Sequence, residues 1–117
     1  MPKQKSNPEF MSGIPELLVL RLISRHEMYG YELVKAIEEL TASAIVLGEG
    51  VVYPILHALE VAGALKSRRK LVAGRSRIYY SITAAGTRRL SDLSNSWIEL
   101  ARAVQAVITG SNNAALT

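Results

Sequence analysis

The chain of 117 residues contains no cysteine and only one aspartate, Asp92. Without cysteine, the sequence offers no thiol nucleophile, no disulfide and no cysteine-ligated zinc or iron–sulfur site. This composition fits a reducing compartment, and we expect a cytoplasmic protein. Carboxylates are not clustered apart from Glu38 and Glu39, so paired acid–base catalysis has few candidate residues. We therefore expect a protein that is not an enzyme and that has no cofactor.

Other common site signatures are also missing. The two histidines, His26 and His57, have no second histidine or cysteine at ligand spacing, so no metal site is predicted. Residues 48–50 begin like a glycine-rich nucleotide loop but lack its third glycine and its Lys-Ser/Thr pair. The longest apolar run, residues 14–23, is interrupted by charges and is shorter than the ~20 residues of a membrane span. Neither a membrane segment nor a secretion leader is expected.

Positive charge is concentrated in one part of the chain. Residues 61–91 contain eight Lys or Arg and no Asp or Glu, whereas the rest of the chain has six bases and ten acids. The net charge of +4 therefore arises from this segment, and six of its cations lie within residues 66–77. Such a field attracts polyanions, chiefly nucleic acid or an anionic membrane. The alternative is a solvated basic hairpin.

Hydrophobic periodicity predicts two helices before residue 41. Pro15 opens a first helix that is apolar on nearly every side and is therefore expected to be buried. Residues 30–40 predict an amphipathic second helix with one apolar stripe. The stripe consists of Leu33, Val34, Ile37 and Leu40. The helical period fails over residues 41–50, where we expect a loop with a short strand at residues 45–47.

A third helix is predicted over residues 51–62, with Gly63 as its stop. Pro54 is tolerated only in a first turn, so this helix is expected to begin close to Val51. Its inner face is apolar and consists of Val52, Ile55, Leu56 and Leu59. Its outer face, which is expected to point away from the core, carries Val51, Tyr53, Pro54, His57 and Ala58.

A β-hairpin is predicted from two strands, residues 65–71 and 76–82, around a turn that contains Gly74. In the second strand, apolar side chains alternate with others and are expected to cover the helices. The expected inward residues are Ile78, Tyr80 and Ile82, and the alternates are Tyr79 and Ser81. The cations of the hairpin would then reach outward.

The last helix is predicted to begin after an N-cap at Thr83 and to run to about Thr109. Apolar residues recur along it at spacings of 3, 4, 3, 4 and 3, at Leu90, Leu93, Trp97, Leu100, Val104 and Val107. Such a heptad seam packs against another helix, either in its own domain or in a second copy of the chain. The earlier helices have little spare apolar surface, so we favour a twofold homodimer.

These parts predict a mainly α-helical protein with a small β-hairpin. Residues 13–82 would form a winged helix-turn-helix domain and residues 83–109 a dimerisation helix, between a flexible arm (1–12) and a disordered tail (110–117). In this module the third helix enters the major groove of double-stranded DNA, and the hairpin, or wing, follows the sugar-phosphate backbone or lies in a minor groove. The expected DNA contacts are Gly50, Val51, Pro54, His57, Arg68, Arg69, Lys70, Arg75 and Arg77. For His57, a plain surface position is the alternative.

Three motifs in the sequence resemble the PadR-type transcriptional regulators. They are MYGYEL at residues 28–33, GVVYPILHALE at 50–60 followed by Gly63, and RIYYSIT at 77–83 followed by Gly86. The resemblance covers roughly residues 14–108. It implies a homodimeric repressor that releases its operator when a small molecule or another signal is sensed. It also implies that Tyr53 contacts a phosphate.

The sequence departs from that family pattern in two places. Val51 and Ala58 stand where many relatives have Thr and Arg, so a different operator preference is expected. The single C-terminal helix resembles a short subtype in which a tryptophan stacks on flat aromatic ligands at the dimer centre, and Trp97 is similarly placed. The resemblance thus implies a hydrophobic or aromatic effector, with a core residue as the alternative interpretation of Trp97.

Two other function classes stay open from the sequence. One is a DNA-binding architectural or partner-recruiting module that does not respond to a ligand. The other is a small hydrolase or nucleotide-binding domain, for which no motif was found. Binding to duplex DNA at several salt concentrations separates these hypotheses. The repressor and the architectural module should both bind with an affinity that falls steeply with salt, because they contact phosphates. The hydrolase or nucleotide-binding domain should not.

Overall fold

A computed structural model describes residues 13–110, a mainly helical chain with a small antiparallel sheet. Its elements are α1 (Ile14–Ile23), β1 (Met28–Tyr29), α2 (Gly30–Leu40), α3 (Glu49–Val61), β2 (Leu65–Val72), β3 (Arg75–Ile82) and α4 (Ala84–Thr109). The predicted fold class, a winged helix-turn-helix followed by a long helix, is confirmed. The predicted arm at residues 1–12 lies outside the described residues, as does the predicted tail beyond residue 110.

The first two helices form because each buries one apolar side in a common core. Pro15 lies in the first turn of α1, and Val19, Leu20 and Ile23 of this helix are buried. The bounds of α2 match the prediction. Its first turn is closed by the backbone N–H of Tyr29, which donates to Glu32 Oε1 at 3.2 Å.

The apolar stripe of α2 is shorter than predicted. Leu33 and Ile37 are buried, but Leu40 is 67% exposed. The helix ends at Leu40, and the chain turns away from the core through Ala42 and Ser43, which both have positive φ. Leu40 therefore lies outside the core that the other residues of the stripe contact.

The short strand predicted at residues 45–47 is wrong. Turns and a bend at residues 41–45 lead into an irregular stretch that ends at Gly48. The Thr41 hydroxyl holds the turns, since it donates to the carbonyl of Ile37 at 2.7 Å and accepts from the N–H of Ile45 at 3.1 Å. Leu47 is buried and anchors the segment to the core. Of the β-branched residues here, Ile45 packs against the core and does not form part of a strand.

Helix α3 begins at Glu49, after Gly48 as N-cap, and thus two residues before the predicted start. Pro54 lies inside the helix and not in its first turn. Because proline has no backbone N–H, the carbonyl of Gly50, four residues earlier, has no helical hydrogen-bond donor at this position. The inward face is confirmed, with Val52, Leu56 and Leu59 buried and Ile55 packed at its edge.

The sheet has the strand order β1-β3-β2, and all its pairs are antiparallel. Strands β2 and β3 pair from Leu65 opposite Ile82 to Val72 opposite Arg75, one residue longer each than predicted. The two-residue turn of Ala73 and Gly74 has φ of 52° and 77°. Two positive φ angles give a hairpin turn whose twist matches that of the strands. This turn fixes the register.

The third strand, β1, was not predicted, and it explains why Tyr79 is buried. Met28 and Tyr29 pair with Tyr80 and Tyr79 at the free edge of β3. The ring of Tyr29 meets that of Tyr79 edge-on, at 5.2 Å between centroids, and the Lys70 ammonium lies 4.4 Å from the Tyr79 centroid. Tyr79 thus lies on the face opposite to Tyr80, as the alternation predicts, and it is buried because Tyr29 and Lys70 pack against its ring.

On the opposite face of β3, Tyr80 lies in the core, as predicted, and Ile82 packs against it. Ile78, which was expected to point inward to the helices, is instead exposed. It lies past the end of the pairing with β1, where the hairpin extends beyond the helices. The outer half of the hairpin is thus solvated on both faces.

Thr83 joins the hairpin, α3 and α4. Its predicted N-cap is confirmed, since Thr83 Oγ1 accepts from the N–H of Gly86 at 3.0 Å and donates to the carbonyl of Gly63 at 2.6 Å. Gly86 packs so closely that an added Cβ would lie 2.1 Å from the carbonyl oxygen of Ala64. Helix α4 then crosses α1, where Arg89 pairs with Glu16 at 2.6 Å. Across residues 13–110, no helix is long and apolar enough to cross a membrane.

Candidate nucleic-acid interface

The outer face of α3 is a solvent-exposed surface of small and weakly polar side chains. Gly50, Val51, Pro54, His57 and Ala58 are all exposed. No atom lies within 4 Å of the place where a Cβ on Gly50 would be. The side chains on this face are therefore short, so a ligand as large as a duplex can come close to the backbone of α3.

Tyr53 departs from the outward orientation expected for it. It is half-buried and packs against the core, and its ring lies over Gly30, where an added Cβ would be 2.5 Å from it. Only glycine at this position leaves room for the ring. Tyr53 thus connects α3 to the N-terminal end of α2, and its placement depends on a residue in the MYGYEL motif.

The hairpin residues 65–82, which we call the wing, present their cations mainly on one face. Because side chains alternate along a strand, residues that pair across the ladder share a face. Arg68 lies opposite Tyr79, Lys70 opposite Arg77, and Val72 opposite Arg75. The shared face therefore holds Arg68, Lys70, Arg75 and Arg77, whereas Arg69 lies on the other face.

Glu27, a residue that sequence reasoning missed, pairs with two of these cations. Arg68 donates from Nε to Oε1 of Glu27 at 3.1 Å and from Nη2 to Oε2 at 2.9 Å, and Lys70 donates to Oε2. The hydrogen bond from Arg68, followed by that from Lys70, lowers the pKa of Glu27 from 4.5 to about 2. Glu27 in turn raises the pKa of Arg68. Glu27 is 41 residues from Arg68 in sequence, so no local pattern signals the pairing.

Of the four remaining wing cations, three have different surroundings, and the fourth, Lys66, is exposed near the start of β2. Arg77 packs on Tyr29 of β1, and Arg69 donates to the Ser76 hydroxyl at 3.1 Å. Arg75 is exposed next to the turn at the tip. The wing therefore offers solvent-accessible cations at its tip and along both faces.

A groove of about 330 Å³ lies between the wing and the helices. Its lining residues come from β1, α2, α3 and β3: Tyr29, Tyr31, Tyr53, Arg75, Ser76, Arg77 and Ile78. Guanidinium and hydroxyl groups of this kind are hydrogen-bond donors to phosphate oxygens. Through Tyr53, the groove places α3 beside the tip half of the wing.

The predicted seam of α4 divides into two parts. Leu90 is buried in the domain's own core, and Leu93 packs against it. Beyond them Trp97, Leu100, Val104 and Val107 are exposed, the last at 80%. Only the second part is free to contact another helix.

Trp97 also borders a small apolar pocket of about 180 Å³ between α4 and the start of α1. The pocket is lined by Gly13, Ile14, Leu17, Leu93, Ser96, Trp97 and Leu100. A flat apolar group fits such a lining better than a charged one. Within residues 13–110, no three His, Cys, Asp or Glu side chains come together as metal ligands.

Comparison with known proteins gives a consistent result. The model of the transcriptional regulator PadR-like family matches residues 19–92. Transcriptional regulator Rv3488 of Mycobacterium tuberculosis is 34% identical over 96 residues, which are 82% of this chain and 87% of that protein. A PadR-like transcriptional regulator from Bacillus cereus superposes with a TM-score of 0.76 at 28% identity, over 86% of this chain and 96% of the other.

A PadR family transcriptional regulator from Eggerthella lenta superposes with a TM-score of 0.73 at 30% identity, over 86% of each chain. The resemblance noted in the three sequence motifs is thereby confirmed, and these motifs form the α2 start, the exposed α3 helix and the β3–α4 junction. The chain belongs to the PadR-like family of transcriptional regulators.

Proposed function

We propose that this regulator is a homodimeric repressor that binds operator DNA through the outer face of α3 and the wing. The observation that carries the proposal is the groove of tyrosines and arginines, in which Tyr53 of α3 lies beside Arg75 and Arg77 of the wing. A helix that enters the major groove and a cationic hairpin that follows the backbone need this arrangement. Few other ligands would use both at once.

The two surfaces would read different parts of the duplex. Val51 and His57 project from α3 and would contact base edges, while Gly50 and Pro54 leave space for the floor of the groove. The unpaired N–H groups at the amino end of α3, with Gly48 as N-cap, would attract a phosphate, although the negative charge of Glu49 in the first turn opposes this. Arg69, Arg75 and Arg77 would contact phosphates by charge, and Tyr53 by its hydroxyl.

The exposed part of the α4 seam supports a dimer. A helix of 26 residues is about 39 Å long, and its second half lies beyond the domain core. Apolar side chains exposed there at heptad spacing are stabilised when a second copy of the helix covers them. A twofold axis at this contact would give the assembly two α3 helices and two wings.

The pocket beside Trp97 supports the effector part of the proposal. A flat aromatic compound bound there would contact the indole and the two neighbouring leucines, Leu93 and Leu100. The site lies where the buried part of α4 becomes the exposed part. Binding would therefore change how α4 packs on α1, and with it the spacing between two DNA-binding domains.

Selection of duplexes from a random library by the purified protein tests the DNA part of the proposal. We expect enrichment of an inverted repeat, since a twofold dimer reads two half-sites. Footprinting should then show protection of both half-sites. No enrichment after repeated rounds at low salt would contradict it.

Indole fluorescence tests the effector part, because Trp97 is the only tryptophan. Planar aromatic compounds that bind beside it should quench its emission and release the selected duplex. A matched control is the variant Val107→Ala, which alters the seam beyond the pocket. Quenching without release, or neither across a broad library, would favour a DNA-binding module that does not respond to a ligand.

A further inference from the structure

Glu27 lies between α1 and β1, at the side of the wing, and both of its carboxylate oxygens are used by wing cations. Arg68 engages Oε1 and Oε2 with its fork of two N–H groups, and Lys70 shares Oε2. Among residues 13–110, Glu27 is the only carboxylate that pairs with a wing cation. The pairing is therefore specific to this position.

The three residues form a cluster with two positive charges and one negative charge. The low pKa of Glu27 keeps this carboxylate ionised at neutral pH. A carboxylate and a phosphate take the same bidentate geometry from an arginine, so the two anions compete for one fork. The Arg68 side chain is 66% exposed, so a phosphate approaching from solvent can reach it.

We infer that Glu27 is an intramolecular competitor of DNA phosphates for Arg68 and Lys70, and that it limits the affinity of the wing for DNA of any sequence. The inference rests on the proposed function and adds a specificity-determining residue to it. Backbone contacts carry no sequence information, so a wing with fewer free cations leaves a larger share of the binding free energy to α3. Arg69, Arg75 and Arg77 stay free of Glu27 and contact the backbone directly.

The variant Glu27→Gln tests the inference, because it removes the negative charge and keeps the shape of the side chain. The probe is a fluorescent duplex of random sequence, titrated by anisotropy at several salt concentrations. We expect the variant to bind more tightly at low salt, and its affinity to fall about threefold more than that of the wild type between about 50 and 200 mM salt, which is the share of roughly one phosphate contact. The slope of log affinity against log salt should steepen by about 0.9 per wing.

Glu16→Gln is the matched control. It also removes one negative charge and one ion pair, that with Arg89, but this pair joins α1 to α4 and not to the wing. We expect its affinity and salt slope to stay at the wild-type values. Equal effects of the two variants would show a general charge effect and would overturn the inference.

A second test covers the case in which Glu27→Gln is less stable than the wild type. The substitution Arg68→Ala is made in both the wild type and Glu27→Gln, and the two losses of DNA affinity are compared. Competition predicts that losing Arg68 weakens DNA binding more in the Gln background, where the guanidinium is free. A larger loss in the wild type would mean that Glu27 positions Arg68 for DNA, and would overturn the inference. If neither the wild type nor any variant bound duplex DNA, the proposed function itself would fail.

Discussion

The guanidinium of Arg77 stacks on the ring of Tyr29, 4.3 Å from its centroid, and donates from Nη1 to the Tyr29 hydroxyl at 2.7 Å. This contact joins the wing to the two-residue strand that precedes α2. A cation held by an aromatic face and a hydroxyl keeps its other N–H groups free. Arg77 is therefore oriented before any ligand arrives, which would lower the entropy lost in the proposed contact with a phosphate.

Replacing Arg75 and Arg77 together with alanine should weaken binding to all duplexes about equally. Each lost phosphate contact should reduce the salt slope by about 0.9. Anisotropy titrations over a range of salt measure both quantities. Arg102→Ala is the control, because Arg102 lies on α4 away from the wing. An unchanged slope in the double variant would contradict the assignment of these residues to the DNA backbone.

Glutamate at both Leu100 and Val104 should convert the proposed dimer to a monomer. Both side chains are exposed in the single chain, so the substitutions leave the core intact and place charges in the proposed helix–helix contact. Sedimentation velocity measures the outcome, and circular dichroism checks that the helix content is kept. Arg102→Glu, two residues from each of them and off the heptad seam, should remain dimeric. A dimeric double variant would count against the α4 contact.

Gly86→Ala should destabilise the fold, because the new Cβ would collide with the backbone carbonyl of Ala64 and not with a movable side chain. We expect a loss of about 1–3 kcal/mol, the usual effect of overpacking. Chemical unfolding measures the free energy. Gly50→Ala is the control, since a Cβ there meets open space and alanine favours a helix. Equal stability of both variants would contradict the close packing at the β3–α4 junction.

Glu27 should make the stability of the protein fall in acid. Its hydrogen bonds with Arg68 and Lys70 hold its pKa at about 2, below the ordinary 4.5. Because the pKa of Glu27 is lower in the folded protein than in the unfolded chain, its ion pairs stabilise the fold fully at pH values above 4.5. This stabilisation is lost as the pH falls from 4.5 toward 2. The difference in unfolding free energy between the wild type and Glu27→Gln should shrink across that range. A constant difference would contradict the ion-pair cluster.

Local patterns were sufficient for much of the fold. The stripe with Leu33 and Ile37 predicted α2, and the alternation on either side of Gly74 predicted the hairpin. The N-cap at Thr83 is also a local signal, since its hydroxyl bonds to an N–H three residues later. Each of these features depends on residues that are close in sequence, which is why it can be predicted from a short sequence segment.

Features that depend on distant residues could not be predicted. Strand β1 has two residues, too few to show the alternation of side chains that marks a strand. It forms because Tyr29 pairs with Tyr79, some fifty residues later. Glu27 pairs with Arg68 across a similar separation, so the basic segment looked unpaired. Leu90 fits the heptad seam as well as Val107 does, yet only the three-dimensional packing shows that Leu90 lies in the core.

The affinity of the wild-type protein for duplex DNA, measured by anisotropy across a series of salt concentrations, tests the central claim most directly. The account predicts saturable binding that is tightest for a selected inverted repeat, with two protomers on each site and an affinity that falls steeply with salt. A protein that bound no duplex at low salt, or whose affinity did not depend on salt, would contradict it.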